Sequence, residues 1–351
     1  MSSATFQLEQ GAVFAPDGIP LHYGDLAGEY QSALTAAVLM DRSHEGRLLL
    51  RGGDRLALIH RISTNDVEKL PEHEGKPTIF TSPIGRVIDR ITIYNTGETA
   101  LVLTDPGRGQ AVSNMIRRNI FFNDNLQIED IAPTTRQFVI AGAKADAVIA
   151  EFTSDAVNTS VLSSHQVTVE NDQVMLSRVT PVAKSQWSII AAESAAERVW
   201  HALLQIGNAQ GLRAAGSLAY NALRVRSGRP AAGHELSSEY IPLEIGLWDE
   251  VSFTKGCYTG QEIIARMESR GKLARTIIQL ELERPVEANT PLHLEGREIG
   301  MLTSCAAAPD GINYGIGVVK TATAQPGLTL TANEAAAKIK GLAGVQPAAE
   351  H

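Results

Sequence analysis

Apolar residues recur at helical spacing in several stretches of the chain. Tyr30, Leu34 and Ala37 lie on one face of a helix predicted over residues 29–40. The same spacing predicts four more helices, over residues 54–62, 106–120, 144–152 and 194–206. Small polar residues at 63–66 are expected to end the second of these five helices, because their side chains compete for backbone hydrogen bonds.

Alternating apolar and polar residues predict strands between the helices. Residues 78–104 contain three such runs, separated by Gly85 and by Thr96-Gly97, and are predicted to form a β-meander. Shorter strands are predicted at residues 138–140, 167–169, 174–179 and 187–191. This mixture of helices and short-linked strands predicts an α+β fold with mostly antiparallel pairing.

Helical spacing disappears after Gly271. Five short strands are predicted there, at residues 276–282, 292–294, 298–304, 312–319 and 328–331. Gly, Pro and Asn residues separate them. This shift in composition indicates a separate C-terminal domain, a small antiparallel β-barrel. The alanine-rich end of the chain resembles a frayed tail.

Composition narrows the functional classes. The chain has 351 residues, 44% hydrophobic and 20% charged, which is typical of a folded protein with about two or three domains. Its net charge of −8 argues against nucleic-acid binding through bulk positive charge. Two cysteines without Cys-x-x-Cys spacing build no disulfide framework, and scattered histidines predict no metal site. With neither a leader pattern nor a membrane-length apolar run, the sequence predicts a cytoplasmic protein without membrane contact.

The most informative stretch of the chain surrounds Cys257. Thr259 and Glu262 have capping-box spacing, so a helix is predicted to begin just after Cys257. That helix start and the nearby Lys255 both favour a thiolate. The alternative is a cysteine that only packs in the core, which is common for this residue type. The glycines and charged residues around Cys257 are poor core material, so we interpret it as a functional thiol and Cys305 as packing.

Asp89 is the second candidate. Alternation along residues 86–94 places it on the same face as Val87 and Ile91. A carboxylate on a core-facing side costs several kcal/mol, as an order of magnitude, unless it is paired or hydrogen-bonded. Two interpretations stay open. Asp89 forms a salt bridge with an arginine, or it binds the N–H groups of a ligand.

Arg224 and Arg226 lie in the last turn of a helix predicted over residues 217–228. An arginine there could hold a carboxylate through two parallel hydrogen bonds. The alternative is a solvated last turn in which both cations interact with the helix dipole.

The residues Lys255-Gly256-Cys257-Tyr258-Thr259-Gly260-Gln261-Glu262 resemble the K-G-C-[YF]-x-G-Q-E signature of the YgfZ-type folate-binding proteins, relatives of the glycine cleavage T-protein (aminomethyltransferase). Weaker matches occur at residues 20–24, 65–67, 85–89 and 241–244. The resemblance implies two related, intertwined α/β units at residues 1–250 around a central folate-sized cavity. It further implies a signature loop and helix at 251–271, the barrel at 272–345 and a tail at 346–351.

The resemblance also implies a function. A YgfZ-type protein binds tetrahydrofolate or another reduced folate and supports iron–sulfur client enzymes and, through them, tRNA modification. Cys257 and Lys255 would be catalytic. Gln261, Glu262, Asp89 and Arg224 would contact the cofactor. A single loop cysteine is not a cluster scaffold, because a cluster commonly takes four thiolates.

The chain departs from the T-protein pattern where that pattern has carboxylates. Arg90 replaces the second Asp of the Gly-Gly-x-x-Asp-Asp strand, and Arg226 replaces the Glu of Leu-Arg-x-Glu-x-Gly. Residues 180–184 stand where the pattern has Gly-Tyr-Thr-Gly-Glu. These losses favour folate binding over aminomethyl transfer. A folate-dependent aminomethyltransferase or demethylase, and an interaction module without ligand, are the alternatives.

Overall fold

A computed structural model describes residues 5–153, 155, 159–169, 171–269, 271 and 273–346. Its main bodies are a five-stranded sheet, a six-stranded sheet and a closed barrel of six strands. The predicted α+β class and C-terminal antiparallel barrel are confirmed. Within the described ranges, no helix combines the length and apolar character that crossing a bilayer requires.

The N-terminal segment forms a small two-stranded sheet and then enters the six-stranded sheet. Its elements are α1 (Thr5–Leu8), β1 (Val13–Phe14), β2 (Pro20–His22), α2 (Leu26–Thr35) and β3 (Ala37–Asp41). The predicted helix over residues 29–40 is too long, because Ala37 and the residues after it form β3, which is buried along its whole length. A central strand that is buried on both faces is a continuous apolar run, and over a few residues such a run is indistinguishable from a helix face.

The five-stranded sheet is wholly antiparallel, with the order β5-β6-β7-β4-β8. Its elements are β4 (Glu45–Arg51), α3 (Arg55–Ile62), β5 (Gly75–Thr81), β6 (Val87–Asn95), β7 (Thr99–Pro106), α4 (Gly109–Arg118) and β8 (Gln127–Asp130). The predicted meander corresponds to β5, β6 and β7. Leu58 of α3 and Val112 and Ile116 of α4 pack into one core with the apolar residues of this sheet.

The six-stranded sheet has the order β10-β11-β12-β9-β3-β13, and only the β3–β13 pair is parallel among its described pairings. Its further elements are β9 (Thr135–Gly142), α5 (Ala145–Phe152), β10 (Ser164–Val169), β11 (Asp172–Arg178), β12 (Ser185–Ala192), α6 (Ala196–Gly207) and β13 (Leu212–Ala214). Trp187 and Trp200 are fully buried in its core. Helix α7 (Ser217–Ser227) follows this sheet and leads towards the barrel.

The barrel closes in the order β14-β17-β16-β15-β18-β19, with β19 paired to β14. Its strands are β14 (Arg275–Leu282), β15 (Thr290–Leu294), β16 (Arg297–Ala307), β17 (Asn313–Lys320), β18 (Thr329–Ala332) and β19 (Ala335–Leu342). The sequence reasoning missed β19, because its first two inward residues are the small Ala335 and Ala337, which give a weak apolar signal. Of the predicted tail, residues 347–351 lie outside the described residues.

Two 3-10 helices, Pro242–Ile245 and Trp248–Glu250, and helix α8 (Gln261–Ser269) connect the sheets to the barrel. The buried Glu244 holds this connection. It accepts hydrogen bonds from Arg86 at 3.3 Å and from Arg275 of β14 at 3.1 Å, and from the backbone N–H of Ile241. One carboxylate therefore joins the five-stranded sheet, the connection and the barrel.

The signature segment packs against the turn between β5 and β6. Gly260 has a φ of +86°, and a Cβ there would lie 2.5 Å from the Ser82 carbonyl oxygen and 2.9 Å from the Cα of Gly85. A Cβ on Gly85 would in turn lie 3.3 Å from Ile263 and Ile264 of α8. Because Gly85 and Gly260 lack a Cβ, the backbone of the signature segment can lie directly against the backbone of the β5–β6 turn.

Replacing Gly260 tests this close contact. Gly260→Ala should lower the free energy of unfolding by about 2–4 kcal/mol, because it adds a positive-φ penalty to a collision with backbone atoms. Gly256→Ala is the matched control, since a Cβ on Gly256 of the same loop meets nothing within 4 Å. Urea unfolding of both variants checks the expectation, and equal losses would contradict it.

Candidate functional site

A cavity of about 410 Å³ lies between the two sheets, where the resemblance placed one. Strands β6, β7, β9 and β12, helix α7 and the segment at residues 229–234 all contribute to its wall. Its polar lining includes Arg42, Glu45, Arg90, Asp105, Gln137, Gln186, Ser188, Asn221, Arg224 and Arg229. The volume falls within the range of about 300–1,000 Å³ that small-molecule sites occupy.

Two of the cavity's arginines are neutralised by glutamates. Arg42 lies 2.7 Å from Glu45, and its guanidinium stacks 3.8 Å from the centre of the Tyr220 ring. Arg90 donates to both oxygens of Glu250, at 2.9 and 2.7 Å from Nε. Arg90, which stands at the position of the second Asp of the T-protein pattern, therefore faces the cavity with its charge already paired to Glu250.

Arg224 also faces the cavity but is saturated by protein acceptors. Nη1 donates to the Arg229 carbonyl at 3.0 Å and to Glu235 at 3.4 Å. Nη2 donates to Ser304 at 3.0 Å and to Asn221 at 3.1 Å, and Nε donates to Asn221. All N–H groups of the guanidinium are thus used. Arg224 thereby ties α7 to the barrel and keeps no unbonded N–H group for the predicted contact with a ligand carboxylate.

Arg229 differs from the other three cavity arginines named above in that no carboxylate among the described residues pairs with it. Its Nη1 donates to the Thr180 carbonyl at 2.5 Å. In the described part of the chain, no carboxylate forms an ion pair with it. Because most of its N–H groups remain unbonded, Arg229 is better suited than Arg224 to bind an anionic group.

Asp105, near the end of β7, is a half-buried acid of the cavity wall. Its Oδ2 accepts a hydrogen bond from the Ala232 backbone at 3.0 Å. Burial raises the pKa of this carboxyl, although Arg90 and Arg229 oppose the shift. His44 on the same wall has its pKa lowered to about 4 by burial and by Arg42, so it is neutral at physiological pH.

Two buried polar atoms of the cavity wall lack a partner among the described residues. They are Gln137 Oε1 and Ser188 Oγ. The amide nitrogen of Gln137 is used, because it donates to Glu45 at 2.6 Å. An unpartnered buried polar atom costs about 1–3 kcal/mol. A ligand with hydrogen-bonding groups would recover that cost.

Asp89 does not line the central cavity. It lies on the buried face of β6, as the alternation predicted. Arg108 holds it with two hydrogen bonds of 2.8 and 2.7 Å. This is the salt bridge of the first interpretation, and it occupies both carboxylate oxygens.

The ammonium of Lys255 is bound by three backbone carbonyl oxygens. It donates to carbonyl oxygens at the end of α3 and just beyond it, those of His60, Ser63 at 2.7 Å and Asn65 at 3.1 Å. Burial lowers the pKa of Lys255 to about 8, although Asp66 and Glu68 oppose the shift. Lys255 thus caps the C-terminus of α3, and its electrostatic support of Cys257 stays a prediction.

The Cys257 side chain is exposed and lies outside the central cavity. Helix α8 begins four residues later, with Gln261, whose amide lies 3.5 Å from the Lys255 carbonyl oxygen. Glu262 is exposed. The structure thus places Lys255 and Cys257 in one loop and Gln261 and Glu262 at the helix start that follows it, and none of these four residues lines the central cavity. Cys305 packs against the barrel core, and burial raises its pKa.

Sequence reasoning missed Asp105, Gln137, Ser188 and Arg229. Gln137 precedes the apolar run 138–141, and Ser188 interrupts the apolar run of β12. A polar residue within a buried strand is a usable signal, because it must find a partner or line a cavity. Arg229 and Asp105 stand next to prolines at element ends, and nothing in their local pattern indicates a site.

Comparisons with known proteins agree with this architecture. Residues 6–255 match the family model described as the GCVT N-terminal domain. The chloroplastic protein At1g60990 of Arabidopsis thaliana is 31% identical over 299 residues, which are 85% of this chain and 68% of that protein. An aminomethyltransferase of Moorella thermoacetica is 28% identical over 318 residues, 88% of this chain and 85% of that protein.

Among solved structures, the glycine cleavage system aminomethyltransferase T from Bartonella henselae shares the fold, with a TM-score of 0.84 and 18% identity over 95% of this chain and 94% of that one. Because the family model spans most of the chain and the plant relative matches along most of both proteins, the chain belongs to the glycine cleavage T-protein family.

Proposed function

We propose that the protein binds a reduced folate, such as tetrahydrofolate, in the central cavity. We further propose that it acts as a YgfZ-type member of its family, which supports iron–sulfur enzymes and, through them, tRNA modification. A reduced folate carries N–H donors on its pterin ring, an aromatic middle and carboxylates on its glutamate tail. A suitable site needs acceptors at one end and a cation at the other.

The observation that carries the proposal is the pair of unpartnered acceptors in the cavity wall. Gln137 Oε1 and Ser188 Oγ are buried and have no hydrogen-bond partner among the described residues. Such atoms are rare in folded proteins, and in a cavity wall a ligand or an ordered water can satisfy them. The N–H groups of a pterin ring would supply that partner.

Arg229 would hold the glutamate tail. Its spare donors contrast with Arg42, Arg90 and Arg224, which are paired within the protein. Among the described residues no carboxylate forms an ion pair with Arg229, so an anion that binds Arg229 does not share this cation with a carboxylate of the protein. The expected carboxylate contact therefore moves from Arg224 to Arg229.

Cys257 would act on a macromolecule and not on the enclosed folate. Its side chain is exposed on the signature loop and does not line the cavity. A solvent-facing thiol can reach an iron–sulfur client protein. Folate binding and thiol chemistry would then be separable by mutation, with Lys255, Gln261 and Glu262 shaping the loop. The cytoplasmic location stays a prediction, and one relative is chloroplastic by name.

A second function, folate-dependent aminomethyl transfer, is favoured by Asp105. A relative bears the name aminomethyltransferase. The Asp105 carboxyl lines the cavity and has its pKa raised by desolvation, as a general acid needs.

Folate binding is tested by calorimetric titration with tetrahydrofolate. Arg229→Gln should weaken binding about tenfold or more, because a charge-assisted hydrogen bond is lost. Ser188→Ala should weaken it about threefold to tenfold and leave the ligand-free protein no less stable, because the removed hydroxyl had no partner. Arg297→Gln, an exposed change of equal charge on the barrel, is the control. Absence of binding to the unmodified protein would refute the proposal.

The role of the thiol is tested in cells that lack the protein. Cys257→Ser should fail to restore the activity of an iron–sulfur enzyme that modifies tRNA, while the purified variant keeps the folate affinity of the unmodified protein. The expectation follows from the distance of the exposed thiol from the cavity. Cys305→Ser should restore activity. Full restoration by Cys257→Ser would remove the thiol from the function.

Aminomethyl transfer is tested with an aminomethylated lipoyl carrier and tetrahydrofolate. If this function holds, Asp105→Asn should lower turnover by about 10²–10⁴-fold. The Asp105→Asn variant should have a higher free energy of unfolding than the unmodified protein near neutral pH. The reason is that the folded state raises the pKa of the Asp105 carboxyl, so the unmodified protein loses stability as the pH increases through that pKa. That gain should vanish in acid. Lack of turnover by the unmodified protein with a competent carrier would exclude this function.

A further inference from the structure

A second cavity of about 310 Å³ adjoins the central one. The two share three lining residues, Arg90, Asp105 and Ala232. The second cavity also contains Asp89 and Arg108, which the central cavity does not. A molecule in the second cavity would therefore face a ligand of the central cavity across a wall that carries Asp105.

Asp105 offers this second cavity a free acceptor. One carboxylate oxygen, Oδ2, is bonded to the Ala232 backbone. Within the described ranges, no group donates a hydrogen bond to Oδ1. Arg90, the cation on the same wall, is already held by Glu250. The free oxygen of Asp105 is thus available to an N–H group of a ligand.

Arg108 offers the opposite charge. Asp89 engages its Nε and Nη2, which leaves Nη1 without a partner among the described residues. The Arg108 side chain is 39% exposed, whereas that of Asp89 is 4% exposed. The buried Asp89 therefore acts as a positioning residue, which fixes one edge of the guanidinium and leaves the other edge free.

The remaining lining is mostly apolar, with Val87, Ile88 and Leu236, and also includes a glycine and two serines. A free carboxylate oxygen and a free guanidinium edge on one small cavity match a compound that carries both an amine and a carboxylate. We infer that the second cavity binds a small zwitterionic amino acid, with its amine at Asp105 and its carboxylate at Arg108. The binding site stands on its own contacts, but its service to a folate reaction rests on the proposed function.

The test is calorimetric titration of the full chain with glycine, β-alanine and 4-aminobutanoate, which vary the spacing between the two charges. Methylamine and acetate, each with one of the two groups, are the matched probes. All titrations are run with and without saturating tetrahydrofolate. At least one zwitterion should bind, and the single-group probes should bind about tenfold more weakly or worse, because each loses one charged hydrogen bond.

Two variants locate the site. Asp105→Asn should weaken zwitterion binding about tenfold. The double variant Asp89→Asn with Arg108→Gln should also weaken zwitterion binding about tenfold. Both partners are replaced so that no buried carboxylate is left unpaired and the fold is kept. Because neither Asp89 nor Arg108 lines the central cavity, the double variant should keep its tetrahydrofolate affinity.

The outcomes separate this inference from the proposed function. Folate binding without any zwitterion binding, or zwitterion binding that both variants leave intact, would overturn the inference and spare the folate proposal. Zwitterion binding without folate binding would keep the inference and overturn the folate proposal.

Discussion

The architecture depends on buried carboxylates that connect separate parts of the chain. Glu235 is fully buried and accepts hydrogen bonds from Thr303 at 2.6 Å, from Ser304 at 2.8 Å and from Arg224 of α7 at 3.4 Å. A bulge in β16 at Thr303 aims both hydroxyls at it. Glu244 makes the equivalent connection between the five-stranded sheet and β14. Breaking a buried pair of this kind typically costs about 3–5 kcal/mol.

These connections decide which polar groups of the cavity remain free. Arg224 uses its N–H groups to hold α7 to the barrel, and Arg90 pairs with Glu250 of the connecting segment. Arg229, which has no such task, keeps its donors. The groups of the cavity that can bind a ligand are therefore those that the structural ion pairs leave unbonded. Asp105, Gln137 and Ser188 are also among these groups.

The signature segment has two roles in the same few residues. Tyr258 packs in a small core with Ile241 and Leu243, Lys255 caps α3, and Gly260 lies against the β5–β6 turn. These contacts are structural and hold the loop in place. Cys257 is left facing solvent on a fixed support. A fixed and exposed thiol suits reaction with a protein partner, because its presentation requires no opening of the fold.

The sequence alone determined those features of the fold that depend only on residues close together along the chain. Hydrophobic period predicted the meander, the barrel and the buried side of Asp89, since side-chain direction along a strand follows from local geometry. Only the tertiary structure decided which charges are free, because the partners come from far along the chain. Arg90 meets Glu250 across 160 positions, and the Lys255 ammonium meets carbonyls about as distant. No local pattern encodes such pairs, so the cavity's free donors and acceptors appear only when the segments pack together.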